Sequence, residues 1–361
     1  MLKIFLNGIE DKGAFEETSP LRSSRNLESV LFGEDEFAEA EAMYRRALQD
    51  GEKLLGPEHP DTLTSVTKLG NLLGNQGKYE EAEAMHRRAL EGSEKVFGRE
   101  SPHTLTIVTN LGNVLSRQGK YEEAETIHRR ALEGSEKVLG PKHPDSLISV
   151  TGLGNVLYRQ GKYEEAEAMY RRALEGSEKV LGPEHRDTLI SLSNLGNVLG
   201  NQGRYEEAEA MHRRALEGSE KLLGPEHFTT LTSVSNLGNM LGYQGKYEEA
   251  EAMHRRALEG SEKVLGPEHP DTLISLSNLG NVLGNQGRYE EAEAMHRRAL
   301  QDRERLLGPE HLNTLTSVSN LANMLVNQGK YEEAEAMNRS ALEAKVLGRE
   351  HPETLASIDI L

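Results

Sequence analysis

A long internal repeat dominates this sequence. The stretch from Leu69 to Leu90 returns almost letter for letter every 42 residues, with copies that begin at Leu111, Leu153, Leu195, Leu237, Leu279 and Leu321. A unit of this period is one supersecondary element that buries its apolar face only by stacking on its neighbours. The repeat therefore predicts one extended array, although a chain of 361 residues would otherwise suggest two or three globular domains.

The composition suits packing between neighbouring units rather than one large core. Only 36% of the residues are apolar and none is tryptophan. The 42 basic residues against 59 acidic ones give a formal net charge of -17, which argues against nucleic acid or an anionic membrane as the main partner. Cysteine is absent, which excludes disulfides and thiolate metal sites. No apolar run is long enough for a signal peptide or a bilayer span, so we expect a soluble, cytoplasmic protein without membrane insertion.

The repeats also set the expected domain organisation. Residues 1–20 match no repeat and are predicted to be an irregular leader. The array is expected to span residues 21–361, with a degenerate first copy at 21–58, seven clear repeats at 59–350 and a terminal half repeat at 351–361.

Each repeat carries the pattern of two helices. After Pro60, the apolar spacing of Leu63, Val66, Leu69 and Leu73 predicts helix A, with Asp61-Thr62 as its polar start. The first helix should end at Gly77, and Lys78-Tyr79-Glu80-Glu81 should open helix B, whose acidic first turn suits the positive end of the helix dipole. Helix B is expected to run to about Phe97. The chain is therefore predicted to be all-α, with the stripe of Val66, Leu69, Gly70 and Leu73 buried.

The repeat resembles a known family. Leu69, Gly70, Ala82 and Ala89 stand at the Leu, Gly and two Ala positions of the tetratricopeptide signature. The elements Gly-Lys-Tyr-Glu-Glu-Ala-Glu, Arg-Arg-Ala-Leu and Leu-Gly-Pro-Glu-His-Pro-Asp-Thr-Leu are similar to the kinesin light chain type of this repeat. The resemblance implies a right-handed superhelical solenoid of antiparallel helix pairs. It also implies a non-enzymatic scaffold that binds an extended peptide segment of a partner protein in a concave groove lined by helix A.

A second function is implied by the same resemblance. Similar arrays form the sensor regions of large signalling ATPases, so the chain is alternatively the ligand-sensing part of such a protein. The nucleotide-binding module would then lie outside this chain, since Gly74-Asn75-Gln76-Gly77-Lys78-Tyr79 has the wrong spacing for a phosphate-binding loop and Tyr follows the Lys.

The expected groove positions are those opposite the buried stripe of helix A. In the first clear repeat they are Thr64, Thr67, Lys68, Asn71, Gly74 and Asn75. Two of these positions form asparagine ladders along the repeats. The first ladder comprises Asn71, Asn113, Asn155, Asn197, Asn239, Asn281 and Asn323, and the second comprises Asn110, Asn194, Asn236, Asn278 and Asn320. An amide side chain both donates and accepts, which suits gripping an extended peptide backbone. Alternatively, these amides are solvated or tie adjacent helices together.

Departures from the repeat mark a second candidate feature. Arg117, Tyr158, Arg159 and Tyr243 replace the Gly or Asn found near the end of helix A in other copies. A patch that contains Arg117, Tyr158 and Arg159 would suit an acidic or aromatic side chain of a ligand. Drift on an unused surface is the competing explanation.

The remaining residue rows are interpreted as structural. Most of the thirteen histidines fall in two ladders, one in the loop between repeats and one on helix B, and neither forms the tight cluster that a metal requires. The methionine row of helix B is expected to pack in the core, and the acidic run, including the Glu83–Arg87 pair, to be mostly solvated surface. Gly70, Ala82 and Ala89 are expected to let the helices approach closely. With no nucleophile and base pair or phosphate loop, the sequence predicts neither an enzyme nor a bound cofactor.

Overall fold

The computed structural model describes residues 34–347, with side chains for 37–341. The predicted leader, the first helix of the degenerate copy and the terminal half repeat lie outside these residues. Fifteen helices follow one another in the described part. They are α1 (Glu34–Leu54), α2 (Pro60–Asn75), α3 (Tyr79–Phe97), α4 (Pro102–Arg117), α5 (Tyr121–Leu139), α6 (Pro144–Arg159), α7 (Tyr163–Val180), α8 (Arg186–Asn201), α9 (Tyr205–Leu223), α10 (Phe228–Tyr243), α11 (Tyr247–Leu265), α12 (Pro270–Asn285), α13 (Tyr289–Leu307), α14 (Leu312–Asn327) and α15 (Tyr331–Leu347).

The even-numbered helices are helix A of each repeat and the odd-numbered ones are helix B. The chain divides into two compact units, one that ends at Pro141 and one that begins at Lys142. Within each unit, every helix A packs against the helix B on either side of it and also contacts the next helix A. In the described residues, consecutive helices B make no contact of similar extent. Helix A therefore lines the inner side of each unit, and the predicted all-α array of helix pairs is confirmed.

Helix A begins at a cap that the sequence did not predict. Pro60 is the first helical residue, and Nδ1 of His59 accepts a hydrogen bond of 3.2 Å from the backbone N–H of Asp61. The same bond is made by His143, His185, His227, His269 and His311. In the second repeat Ser101 takes this position and its side chain makes no capping bond. The loop histidines therefore satisfy an N–H group that the helix itself leaves without a partner.

Helix A ends as expected. Gly77 has a φ of +78°, a conformation that glycine adopts without strain. The N–H of Lys78 then bonds back to the carbonyl of Leu73 at 2.9 Å, which closes the helix end and starts helix B at Tyr79.

The buried stripe of helix A packs on small residues of helix B. Val66, Leu69 and Leu73 join Ala82 and Ala89 in one core cluster, each at most 1% exposed. Met85, Met253, Met295 and Met337 pack against the clusters of their own repeats, which confirms the packing interpretation for these methionines.

A glycine on helix A makes room for a large side chain on helix B. A Cβ added to Gly70 would lie 2.8 Å from Cε1 of His86, closer than real side chains approach. The last described pair changes both partners together: Ala322 replaces the glycine and Asn338 replaces the histidine. The close approach predicted at Gly70, Ala82 and Ala89 is confirmed.

The helix B histidines are buried in this contact. His86, His212, His254 and His296 are at most 1% exposed, and neither ring nitrogen has a hydrogen-bond partner in the described residues. Burial lowers the pKa of each from 6.5 to about 4, with an added effect of Arg303 on His296. These histidines are packing residues in their neutral form.

The acidic run of helix B is less solvated than predicted. Glu83 is only 14% exposed and accepts hydrogen bonds from Arg87 at 2.8 Å and from Lys120 of the next repeat at 2.7 Å. Burial acts to raise the pKa of Glu83, but the hydrogen bonds from Lys120, Arg87 and Gln118 together outweigh it and lower the pKa to about 2. The equivalent carboxyls with a pKa of about 2 are Glu41, Glu209, Glu251 and Glu293. The solvated-surface interpretation is wrong for this row, because it joins neighbouring repeats.

Candidate functional site

The face of helix A opposite the core is narrower than predicted. Thr67 and Gly74 are buried rather than exposed. A Cβ on Gly74 would lie 3.6 Å from Cγ2 of Val114 on the next helix A. This part of the prediction is wrong because neighbouring helices A contact each other along their flanks. The open positions are those equivalent to Thr64, Lys68, Asn71 and Asn75, and we call them the inner face.

The inner face of the second unit is uncharged over four successive helices. The sixteen positions on α8, α10, α12 and α14 are Ile190, Asn194, Asn197, Asn201, Thr232, Asn236, Asn239, Tyr243, Ile274, Asn278, Asn281, Asn285, Thr316, Asn320, Asn323 and Asn327. All are half-buried or exposed. In a chain of net charge -17, this surface offers amides, hydroxyls and isolated apolar groups.

Two of the predicted asparagines hold helices together. Nδ2 of Asn194 donates to Oδ1 of Asn155 at 3.4 Å, and the hydroxyl of the buried Tyr170 donates to the same oxygen at 2.8 Å. This cluster joins α6, α7 and α8. For Asn155 and Asn194, the structure therefore supports the alternative in which the amides tie adjacent helices.

The same bond also shows how the two ladders meet. Asn155 belongs to the first ladder and Asn194 to the second, on the next helix A. By the same spacing, three later pairs face each other across adjacent helices: Asn197 with Asn236, Asn239 with Asn278, and Asn281 with Asn320. None of these six amides makes a side-chain hydrogen bond within the described residues, and all are half-buried or exposed. Their donors and acceptors are available to a ligand.

The first unit contains a shorter set of candidate groups. Asn110 is 8% exposed, and its Nδ2 has no partner in the described residues. Asn71 and Asn113 are half-buried. Arg117 is exposed, with Nη1 3.5 Å from the carbonyl oxygen of Gly74, at the limit of a hydrogen bond.

The other departures that the sequence singled out lie in the second unit. The hydroxyl of Tyr158 accepts a 2.6 Å hydrogen bond from Nδ2 of Asn201. Tyr243 is 65% exposed and stacks on Tyr205 with ring centroids 5.6 Å apart. Arg159 is exposed and has no ion-pair partner among the residues that the structure describes. Tyr158 and Arg159 thus place an aromatic and a cationic group at the end of α6, while Arg117 belongs to the other unit.

One polar residue in the second unit was missed by the sequence reasoning. Arg303 on α13 is only 7% exposed, and its Nη1 donates to Oγ of Ser277 and to Oγ of Ser317. The signal was present, because Asp302-Arg303 replaces the Gly-Ser pair found at Gly92-Ser93 and in the four copies that follow.

Two features of residues 34–347 bear on other classes of function. No group of three or more metal-binding side chains comes together there. No helix in that range is both long and apolar enough to span a membrane.

Comparison with known families identifies the repeat. A model described as tetratricopeptide repeat matches residues 22–95, 65–137, 103–179, 146–221, 187–263, 228–301 and 275–345. The chain therefore belongs to the tetratricopeptide repeat family. This confirms the resemblance drawn from Leu69, Gly70, Ala82 and Ala89. No curated protein sequence matches the chain.

Three solved structures illustrate the fold similarity. A putative kinesin light chain from Podosopora anserina with nearly identical repeats has 23% identity and a TM-score of 0.50, covering 57% of this chain and 98% of its own. The apo quorum sensor NprR from B. thuringiensis has 14% identity and a TM-score of 0.64, with 86% and 83% covered. A signal transduction ATPase with a tetratricopeptide repeat sensor, from Pyrococcus horikoshii, has 16% identity and a TM-score of 0.62, with 86% and 46% covered. The chain thus spans under half of that last protein.

Proposed function

We propose that this protein is a non-enzymatic scaffold that binds an extended peptide segment of a partner protein on the inner face. One observation supports this most strongly. Six half-buried or exposed amides, Asn197, Asn236, Asn239, Asn278, Asn281 and Asn320, line three successive seams between helices A without partners among the described residues. An extended backbone presents N–H and C=O groups at regular intervals, and an amide matches both.

The remaining candidate residues fit the same proposal. In the first unit, Asn110 and Asn113 offer amides of the same kind, and Arg117 adds a cationic donor. In the second unit, Tyr158 and Arg159 would take an aromatic or acidic side chain of the segment. The uncharged inner face and the net charge of -17 favour a protein or peptide over nucleic acid. The absence of cysteine suits action in the cytoplasm.

A second function is supported by one of the structural similarities. The Pyrococcus horikoshii protein carries a tetratricopeptide repeat sensor as part of a signal transduction ATPase. In this alternative the chain is the sensing region of a larger switch protein, and peptide binding on the inner face is its input. The two proposals share the site and differ in what binding controls.

Selection from a random 15-residue display library against the whole chain tests the proposal. The enriched peptides should bind the wild type at least tenfold more tightly than a variant with Asn236→Ala, Asn239→Ala and Asn278→Ala. These amides are chosen because, unlike Asn155 and Asn194, they hold no neighbouring helix.

A matched control carries three substitutions on exposed residues of helix B: Glu206→Ala, Glu248→Ala and Glu290→Ala. It should bind the enriched peptides like the wild type, with helix content unchanged in both variants. Equal binding by the inner-face variant, or a library that yields no enriched peptide, would contradict the proposal.

A further inference from the structure

Two tyrosines of the second unit do not belong to the repeat pattern. Tyr158 and Tyr243 lie at the end of helix A, at positions that glycine and asparagine hold in most other repeats. The other tyrosines recur at two positions, the start of helix B and the position of the buried histidines. Because the repeats fold with glycine or asparagine at the end of helix A, packing within the array does not explain these two rings.

Both rings lie at the edge of the inner face where helices A end. The hydroxyl of Tyr158 on α6 accepts a 2.6 Å hydrogen bond from Asn201 on α8, and the ring lies 5.6 Å from that of Tyr163. Tyr243 on α10 stacks on Tyr205 at the same distance. Burial raises the pKa of Tyr158 and the bond from Asn201 opposes this rise. The hydroxyl of Tyr243 adds to it, so the two rings are close enough to interact. We call these four rings the tyrosine cluster.

The polar groups of the cluster are mainly donors. The oxygen of Tyr158 accepts from Asn201, so its own O–H remains available. Asn201 makes no other side-chain bond among the described residues, which leaves its second amide N–H. Arg159, the next residue of α6, can only donate. None of the sixteen inner-face positions carries a charge. The cluster therefore suits a ligand with flat apolar groups and carbonyl acceptors.

The spacing of the repeats favours one backbone conformation of the ligand. Packed helices lie about 8–10 Å apart, and three residues of a polyproline II helix advance by about 9 Å. Such a segment turns once in three residues, so every third residue meets successive helices A from the same side. In a β-strand, residues three apart point to opposite sides. Tyr158 and Tyr243, which are two helices A apart, would therefore meet residues six apart on one side of a polyproline II segment.

We propose that the tyrosine cluster binds a proline-rich segment in the polyproline II conformation, with proline rings against Tyr158 and Tyr243 and backbone carbonyls towards the donors. This inference rests on the proposed function and names the chemical class of the segment. Proline favours this conformation and has no backbone N–H, which matches a cluster that donates. Aromatic surfaces recognise such segments because the ligand loses little conformational entropy on binding. At Tyr158 the inference specifies proline, where the broader proposal allows an aromatic side chain.

Peptide pools with fixed proline spacing test the cluster. Each pool has thirteen residues, a fluorescein label, an amidated C-terminus and random uncharged residues other than proline and aromatic residues. The spaced pool has proline at positions 4, 7 and 10, and the clustered pool has it at 6, 7 and 8. Two reference pools have phenylalanine or alanine at 4, 7 and 10. Fluorescence anisotropy with the whole chain should show the spaced pool binding about tenfold more tightly than the alanine pool and about threefold more tightly than the clustered pool.

The pools separate the inference from the proposed function. Equal binding of the spaced pool and either the clustered or the alanine pool would overturn the inference and leave the proposed function standing. Tighter binding of the phenylalanine pool than of the spaced pool would also overturn it, since the cluster would then select an aromatic side chain. Failure of every pool to bind would contradict the proposed function and the inference with it.

Three variants locate the contact. Tyr243→Asn restores the residue of most other repeats, and the preference for the spaced over the alanine pool should fall below threefold. Tyr158→Phe keeps the ring and removes the O–H, so it should lose part of the preference. Tyr331→Asn is the matched control, because Tyr331 is 66% exposed against 65% for Tyr243 but lies at the start of α15. This variant should keep the full preference.

The alanine pool distinguishes contact with proline from a structural role. Tyr243→Asn should bind this pool as the wild type does, with unchanged helix content, because an exposed ring is replaced by the residue that other repeats carry. A full preference for the spaced pool in Tyr243→Asn would overturn the inference. An equal loss of affinity for all pools would do the same, since Tyr243 would then shape the inner face without contacting proline.

Discussion

The polar side chains of helix B bond across neighbouring repeats, whereas most amides on the inner face of helix A do not. On the helix B side, Glu83 joins Arg87 and Lys120 across the seam, and Arg88 pairs with Glu52 of the preceding repeat. On the helix A side, the amide pairs from Asn197–Asn236 onwards face each other without bonding within the described residues. The repeats are therefore stacked by the core and the charged seams. This leaves the six amides of these seams without a structural task, and that difference is the basis for assigning them a ligand.

Acidification should have the largest effect on stability, and it acts on the contact between helix A and helix B. The four histidines His86, His212, His254 and His296 have a pKa near 4 in the folded state against 6.5 when exposed. Between these pH values the unfolded chain binds protons that the folded chain does not. The contribution of the four histidines to the free energy of unfolding is therefore intact above pH 6.5 and is lost as the pH falls towards 4. Each histidine should cost about 1.4 kcal/mol of stability per pH unit in this window. Thermal melts from pH 7 to 5 measure the effect.

Tyrosine variants provide the control for this pH dependence. Tyr170 occupies the histidine position naturally and bonds to Asn155. His212→Tyr with His254→Tyr should therefore fold, with Asn197 and Asn239 as partners, and should lose less stability on acidification. An identical pH profile for variant and wild type would show that these histidines are not the cause.

Overfilling the helix A–helix B contact should have the next largest effect. In Gly238→Ala the new Cβ would lie 2.8 Å from the ring of His254, so the variant should lose about 1–3 kcal/mol in urea denaturation. Adding His254→Asn, the natural counterpart of Ala322, should recover part of the loss. Gly242→Ala is the control, because its Cβ would meet nothing closer than 3.9 Å. A loss in Gly242→Ala as large as that in Gly238→Ala would argue against the packing explanation.

The charged seam should contribute less than the core contact. Glu209 is 12% exposed and accepts hydrogen bonds from Arg213, Lys246 and Gln244. Glu209→Gln should cost about 1–2 kcal/mol, measured in the same urea series. Glu217→Gln is the exposed comparison, since Glu217 is 69% exposed and pairs with Lys221, and it should change stability by less than about 0.5 kcal/mol. Equal losses of stability in Glu209→Gln and Glu217→Gln would show that the buried ion pair contributes no more than the exposed one.

The histidine cap should have the smallest effect. His269→Ala removes the hydrogen bond to the N–H of Asp271 and should cost about 1 kcal/mol. Ser101→Ala at the same position of another repeat should be nearly neutral, because Ser101 makes no capping bond. Urea denaturation of the two single variants would detect the difference, and similar losses would rule out a capping role for the histidine.

The fold followed from the sequence because one short pattern repeats in phase. The stripe of Val66, Leu69 and Leu73 and the stop at Gly77 are local signals, and both were predicted correctly. Burial of Thr67 and Gly74 was missed, since an amphipathic pattern reveals a helix's main buried face but not its lateral contacts with neighbours.

The candidate site was less predictable than the fold. Sequence alone placed the asparagine ladders on the inner face, but it could not separate Asn155, which holds two neighbours, from Asn239, which makes no side-chain bond among the described residues. That difference depends on Tyr170, which replaces a histidine in one repeat. Arg303 was not predicted for a related reason: it lies on a helix B, and only the structure shows that its guanidinium contacts serines of two helices A.

Photocrosslinking tests most directly whether the inner face is the binding side. One variant carries p-benzoylphenylalanine in place of Thr232 on the inner face of α10, and another carries it in place of the exposed Ala252 on α11. Each is irradiated with a labelled peptide from the display selection. The account predicts a crosslink from position 232 that excess unlabelled peptide abolishes, and none from position 252. A crosslink from position 252 with none from 232 would place the ligand on helix B and contradict the account.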